Sequence, residues 1–242
     1  MGGTGTSDTI AVRVWRGERH GGFQSFAVPR LANQTVLDVL RFIQRRLDPG
    51  LAFRHACRVG VCGSCAVRVN GIARWACRTH LDRVVRDDAL ELAPLDHLPA
   101  VRDLVCDLAP FFDQWTAAGG YFVPRPDADG FAAIAPESPA RRAVEAGIEC
   151  IGCGICYSEC DTVGDRPEYL GPAALNRAWT LQNDTRDGAR AARLHAVSGD
   201  AGCHACHSRF ACSERCPKGL SPAASIAALK RQGVAALLGG TR

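Results

Sequence analysis

Residues 57–77 read CRVGVCGSCAVRVNGIARWAC, and their four cysteines decide how the first part of the chain is built. The first three cysteines are spaced C-x4-C-x2-C. The fourth, Cys77, follows a hairpin signal at Asn70-Gly71. This is the plant-type binuclear arrangement, in which one tight loop supplies three thiolates and a more distant residue the fourth. We predict that Cys57, Cys62, Cys65 and Cys77 hold a [2Fe–2S] cluster. The alternative is a four-cysteine zinc site, but zinc ribbons favour two C-x2-C knuckles.

The residues around this stretch predict a compact α+β unit. Thr35 is placed to cap a helix that reaches Leu47, with Asp38 in the capping-box position. Asn70 and Gly71 are typical of a two-residue hairpin turn. Strands are expected at 10–14, 26–28, 66–69, from 72, and at 90–92.

The remainder of the chain has a helical pattern. Helices are expected at 101–115, from 139, after Gly171-Pro172 through Leu181, at 186–197 and from 222, where Leu237 is one of the apolar positions. We therefore predict two domains, residues 1–105 and residues 106–242.

A second run of cysteines, with spacing C-x2-C-x2-C-x3-C, comprises Cys150, Cys153, Cys156 and Cys160. In two-cluster bacterial ferredoxins the first three cysteines of such a run bind one cubane cluster, and the fourth ligates the other cluster. Three cysteines at consecutive three-residue steps are of no advantage to a lone zinc ion.

A third run keeps this template but lacks one ligand. Cys206, Cys212 and Cys216 are in register, Pro217 follows, and Arg209 occupies the position of the missing cysteine. If ligands cross between the runs, Cys216 completes a [4Fe–4S] cluster with Cys150, Cys153 and Cys156. Cys160 then joins Cys206 and Cys212 at a three-thiolate site, which predicts a [3Fe–4S] cluster.

Two of the thirteen cysteines remain outside these sets. Cys106 lies in an apolar run and is expected to be a small buried hydrophobic residue. Cys203 is an alternative ligand, but choosing it breaks the register with Cys216 and Pro217. We expect an ordinary thiol there.

Composition narrows the class of protein. The chain has 242 residues, is 47% hydrophobic and carries a net charge of +4 without a basic stripe, which disfavours a nucleic-acid binder. The sequence contains no apolar run of membrane-spanning length and no leader, so we expect the mature protein to begin near residue 1 and to stay in a reducing compartment. An odd number of cysteines there indicates metal binding rather than disulfides.

The chain resembles the iron–sulfur subunit of succinate dehydrogenase and fumarate reductase over essentially its whole length. The matching segments are LDPGLAFRHACRVGVCGSCAVRVNG with ACRT, CIGCGICYSEC, YLGPAAL and CHSRFACSERCPKGLSP. The resemblance implies an N-terminal plant-type ferredoxin domain of β-grasp fold, followed by an all-α domain like bacterial ferredoxins. It also implies the ligand sharing given above.

The resemblance further implies partners. Electrons would pass between a flavoprotein, which carries FAD and the dicarboxylate site, and quinone at a membrane anchor, where haem b can be bound. The subunit would lie peripherally on the cytoplasmic face of the bacterial inner membrane, held by the anchor, with no catalytic acid or base of its own. His207 matches a family histidine beside the quinone pocket, although a plain hydrogen bond to sulfur or backbone is the alternative.

The sequence departs from the family after Cys160, where Asp161 replaces the usual proline. The following residues, 162–165, lack the tryptophans of ubiquinone-reducing members and are closer to fumarate reductases, whose quinone is often menaquinone. A carboxylate near a [3Fe–4S] site is expected to lower the site's potential.

Two other functions stay open at this point. One is a soluble multi-cluster ferredoxin that serves an unrelated reductase without a membrane partner. The other is a zinc-containing structural or nucleic-acid-binding protein, which iron analysis would distinguish.

Overall fold

The computed structural model describes residues 8–126 and 134–239. Contacts divide the chain into two compact units: residues 1–108 with 153–155, and residues 109–152 with 156–242. The domain boundary after residue 105 stays a prediction.

The first unit contains a five-stranded mixed sheet with the order β2-β1-β5-β3-β4. Its strands are β1 (Thr9–Arg16), β2 (Gly22–Pro29), β3 (Ala66–Val69), β4 (Ile72–Trp75) and β5 (Ala89–Ala93). β1 pairs antiparallel with β2 and parallel with β5. Ile10, Val12 and Val14 are buried on one face of β1, as their alternation predicts. Asn70, in the left-handed region, turns β3 into β4.

The helix of this unit begins as expected and ends earlier. Thr35 caps α1 (Val36–Phe42), and both hydrogen bonds of the capping box with Asp38 are present. The helix then widens into a π-helical turn, Ile43–Leu47. The α-helical pattern predicted to reach Leu47 therefore ends before it, and the Leu47 side chain is exposed.

The helix predicted at 101–115 is wrong in its first half. Residues 100–106 form a small hairpin of β6 (Ala100–Arg102) and β7 (Val105–Cys106). Asp103 turns the hairpin with a positive φ, and its buried carboxylate accepts hydrogen bonds from the N–H groups of Gly17 and Ala52. These long-range bonds hold residues 100–106 in the hairpin against the local helical pattern.

The second unit is helical in its described part. Its helices are α2 (Ala109–Ala117), α3 (Pro139–Val144), α4 (Ile155–Ser158), α5 (Asp161–Asp165), α6 (Gly171–Gln182), α7 (Arg190–Val197), α8 (Ala211–Glu214) and α9 (Pro222–Leu237); α4 begins at the last residue of 153–155. Ser138 and Ser221 cap α3 and α9, each followed by proline at the start of the helix. Leu237 is exposed at the end of α9, so its predicted packing is wrong. The predicted fold class is confirmed.

Candidate metal centres

The loop after α1 wraps its backbone around the sulfur of Cys57. Cys57 Sγ accepts hydrogen bonds from the N–H groups of Val59 at 3.5 Å and of Val61 and Cys62 at 3.3 Å each. These bonds, that of Val59 first, lower the pKa of Cys57 to about 6. A loop that stabilises a thiolate in this way is prepared to ligate a metal.

The curvature of this loop depends on left-handed backbone at three positions. Arg58, Gly60 and Gly63 have φ of 62°, 74° and 71°. A Cβ on Gly60 would lie 2.9 Å from Cγ of Arg78 and 3.1 Å from the ring of Trp75. Glycine is therefore required at position 60 by conformation and by space.

The other three thiols of this set lie next to one another. Cys62 Sγ is 3.1 Å from the hydroxyl of Ser64, which lowers the pKa of Cys62. The pKa of Cys65 is raised to about 12, first by burial and also by the neighbouring thiols of Cys77 and Cys62, although a backbone hydrogen bond from Cys77 lowers it. Cys65 and Cys77 are 4% and 7% exposed. The structure thus brings together the four cysteines of the first prediction.

The second set brings the two cysteine runs into contact. Burial raises the pKa of Cys150, the N–H of Gly152 lowers it, and the charge of Cys216 raises it again. Cys150 is therefore close to a thiol 66 residues away, as ligand crossing requires. Cys153 and Cys156 are half-buried.

Cys160 lies with two cysteines of the third run. Burial raises the pKa of Cys160, hydrogen bonds from Val163 and Thr162 lower it, and the charge of Cys206 raises it. The pKa of Cys212 is raised to about 11, first by burial and then by Cys160 and Cys206. These three thiols are the ones predicted to share a site.

Tyr169 is a neighbour of this third set that the cysteine spacing does not indicate. Its side chain is buried, and its pKa is raised by burial, by the charges of Cys206 and Cys160 and by a hydrogen bond with Cys206. The YLGPAAL segment was noted only as a family match. Lys230 on α9 was also missed, and its Nζ donates to the carbonyl of Cys206 at 2.7 Å.

The other residues singled out in the sequence lie either beside Cys206 or in the interior. His207 and Arg209 are exposed beside Cys206. Cys106 is buried, as expected, with its thiol 3.7 Å from the carbonyl of Leu95. Cys203 is fully buried, which raises its pKa, and its role as an alternative ligand stays a prediction.

The donor sets fit iron–sulfur clusters. They consist of thiols with N–H groups and glycines around them, and clusters take thiolates stabilised by such hydrogen bonds. Within 8–126 and 134–239, no group of three or more His, Cys, Asp or Glu side chains is placed to hold a single metal ion. A cluster spreads its ligands over several metal atoms. Across the same residues, no helix has the length and apolar character needed to cross a membrane.

Two family models match the chain. A 2Fe-2S iron-sulfur cluster binding domain matches residues 11–113, and a 4Fe-4S dicluster domain matches residues 147–220. The two matches cover the three cysteine sets between them.

Curated relatives and a solved structure resemble the chain over most of its length. The succinate dehydrogenase iron-sulfur subunit of Paracoccus denitrificans is 38% identical over 81% of this chain and 74% of its own. The fumarate reductase iron-sulfur subunit of Haemophilus influenzae is 34% identical over 84% of this chain and 82% of its own. A chain of the Mycobacterium smegmatis Sdh1 complex in the apo form superposes with a TM-score of 0.86 at 26% identity, covering 95% of this chain and 97% of that chain.

Proposed function

The chain belongs to the family of iron–sulfur subunits of succinate dehydrogenase and fumarate reductase, and from this we propose how it holds its clusters and which partners it serves. It is an electron-transfer subunit of an oxidoreductase with a 2Fe-2S and a 4Fe-4S domain. We propose three clusters with these ligands: Cys57, Cys62, Cys65 and Cys77 for [2Fe–2S]; Cys150, Cys153, Cys156 and Cys216 for [4Fe–4S]; and Cys160, Cys206 and Cys212 for [3Fe–4S].

The observation that carries this assignment is the crossing of the two cysteine runs. The charge of Cys216 raises the pKa of Cys150, whereas the charge of Cys206 raises the pKa of Cys160. The last cysteine of each run therefore lies with the first cysteine of the other run. The absence of a cysteine at Arg209 supports three thiolates at the second of these sites.

The role assigned to the chain is to hold redox clusters at fixed positions and to stabilise the charge on the thiolates that bind them. When bound, the clusters supply one-electron carriers between a two-electron flavin and quinone. The N–H groups around Cys57 favour its thiolate. Thr162 and Val163 do the same for Cys160, and Tyr169 forms a hydrogen bond with Cys206. Such hydrogen bonds and the burial around them set the potential at each site.

The partners follow from the family. We propose a flavoprotein with FAD and the dicarboxylate site on one side, and a membrane anchor, with quinone near Cys160, Cys206 and Cys212, on the other. The chain would then be peripheral, on the cytoplasmic face of the inner membrane, and any haem b would belong to the anchor. We assign His207 to the quinone site because it is exposed beside Cys206.

The test is EPR spectroscopy of the purified complex, with iron and acid-labile sulfide measured on the same sample. We expect a [3Fe–4S] signal in the oxidised state, a [2Fe–2S] signal after reduction, and co-purification of a flavoprotein with an anchor. An iron-free, zinc-containing protein would refute the whole assignment. Absence of the oxidised signal would refute the three-thiolate site alone.

A further inference from the structure

An ion pair joins the two segments that carry the three-cysteine site. Nη1 of Arg209 lies 2.5 Å from Oδ2 of Asp161. Asp161 directly follows Cys160, and Arg209 lies between Cys206 and Cys212. The two residues are 48 positions apart in sequence, so the pair is a tertiary contact.

The backbone around Arg209 is shaped to present this side chain. Ser208 and Phe210, the residues on either side, both have left-handed φ, 56° and 64°. Two such non-glycine residues in a short loop are uncommon, and the conformation persists only where the surroundings fix it. The N–H of Ser208 also lies 3.4 Å from Sγ of Cys206. The loop therefore faces a ligand with its backbone while Arg209 reaches the neighbouring segment.

The charge of Arg209 changes the electrostatic expectation for Asp161. Alone, a carboxylate next to Cys160 disfavours the added electron, because reduction places one more negative charge on the site. A guanidinium in direct contact offsets that carboxylate. The pair is exposed, with side chains 70% and 60% accessible, so its contribution to folding stability is small. The effect of the pair on the reduction potential of the neighbouring site is separate from its contribution to folding stability.

Two other cations near these segments have partners of their own. Arg215 lies 3.7 Å from Glu159, and Lys230 donates to the carbonyl of Cys206. Of these three cations, Arg209 is the one that contacts Asp161.

We propose that Arg209 is a positioning residue for this site, which through its ion pair with Asp161 cancels the effect of that carboxylate on the reduction potential. The proposal rests on the proposed function, because it requires a redox centre at Cys160, Cys206 and Cys212. It also accounts for how a carboxylate is accommodated next to Cys160.

The experiment is an EPR-monitored redox titration of the oxidised trinuclear signal in the purified complex, at low ionic strength, where screening is weakest. Arg209→Gln leaves the carboxylate uncompensated and should lower the midpoint potential. Asp161→Asn leaves the guanidinium uncompensated and should raise it. The double variant should return close to the wild-type value. Each single shift should lie between roughly twofold and tenfold in the reduction equilibrium, tenfold being about 59 mV for one electron.

Two controls separate this effect from general damage. Arg209→Lys keeps the charge and should keep the wild-type potential. Arg186→Gln breaks an ion pair with Asp184 in a segment without cysteines, and it should leave the potential unchanged.

The outcomes distinguish a failure of the proposed function from a failure of the role given to the ion pair. A wild-type complex without the trinuclear signal would refute the proposed function. A normal signal with single variants that do not shift, or that shift in the same direction, would overturn only the role of the pair. If Arg209→Gln abolishes the signal, Asp161→Asn and Arg209→Lys still decide: an unshifted Asp161→Asn or a shifted Arg209→Lys overturns the proposal.

Discussion

Arg193 and Asp187 form an ion pair that is almost completely removed from solvent, with side chains 1% and 0% exposed. The guanidinium donates to both carboxylate oxygens, at 2.7 and 2.9 Å. Its remaining N–H groups donate to the carbonyls of Gly119 at 2.8 Å and Tyr121 at 3.0 Å, and the N–H of Val123 donates to Asp187 at 3.1 Å. The pair thus fastens α7 to residues 119–123.

Removal of Arg193 should strongly destabilise the second unit. Arg193→Met leaves the carboxylate of Asp187 buried without its partner, so we expect a loss of about 3–5 kcal/mol in the free energy of unfolding. Urea denaturation followed by circular dichroism measures this loss. Arg186→Met, at an ion pair with Asp184 whose arginine side chain is 44% exposed, is the matched control and should cost about 0–1 kcal/mol. Equal losses in the two variants would contradict the importance of burial.

The same pair predicts how stability depends on pH. Burial alone raises the pKa of Asp187, but hydrogen bonds from Arg193, Val123 and Ala189 outweigh it and hold the pKa below its ordinary value. The stabilisation is therefore complete above the unfolded pKa of about 3.9 and is lost as the pH falls through the lower folded value. The stability difference between wild type and Asp187→Asn should be constant near neutral pH and shrink below about pH 4. A difference that grows on acidification would mean that the pKa of Asp187 is raised, not lowered, in the folded protein.

Local signals in the sequence predict much of the fold. The alternation in β1, the capping box of Thr35 and the Ser138–Pro139 start of α3 each depend on neighbouring residues, and each prediction is confirmed. The hairpin at 100–106 could not be found in this way. It depends on Asp103, whose partner Gly17 lies 86 residues away in sequence.

The same distinction applies to the candidate site. Spacing alone selects the cysteines and the vacancy at Arg209, because cluster ligation imposes a fixed local pattern. The contacts of Tyr169 and Lys230 with Cys206, and of Asp161 with Arg209, arise only when separate segments pack together. No local pattern indicates them.

Gly60 should be indispensable for the first site. Gly60→Ala introduces a Cβ at a left-handed position, against the side chains of Trp75 and Arg78, and would push the loop away from Cys57. We expect the reduced [2Fe–2S] EPR signal to fall several-fold per complex. Gly22→Ala is the matched control, since no atom lies within 4 Å of its added Cβ, and it should keep the full signal. A normal signal in Gly60→Ala would show that the loop can relax.

Arg209→Cys should restore the missing ligand of the template. We expect part of the proposed trinuclear site to become [4Fe–4S], with a weaker oxidised EPR signal, more iron per chain and a lower potential. Arg209→Ser removes the guanidinium without supplying a thiol and should keep the trinuclear signal. An unchanged signal in Arg209→Cys would mean that position 209 does not face the cluster.

The hydroxyl of Tyr169 should raise the reduction potential at the three-cysteine site. Its hydrogen bond with Cys206 stabilises negative charge on the sulfur, and reduction adds negative charge there. Tyr169→Phe removes this bond and little volume, so the midpoint potential in a redox titration should fall while the iron content stays unchanged. Tyr157→Phe is the matched control, because Tyr157 is also buried and the charge of Cys160 raises its pKa. An equal fall in both variants would assign the effect to packing, whereas a fall in Tyr169→Phe alone identifies the hydrogen bond as its cause.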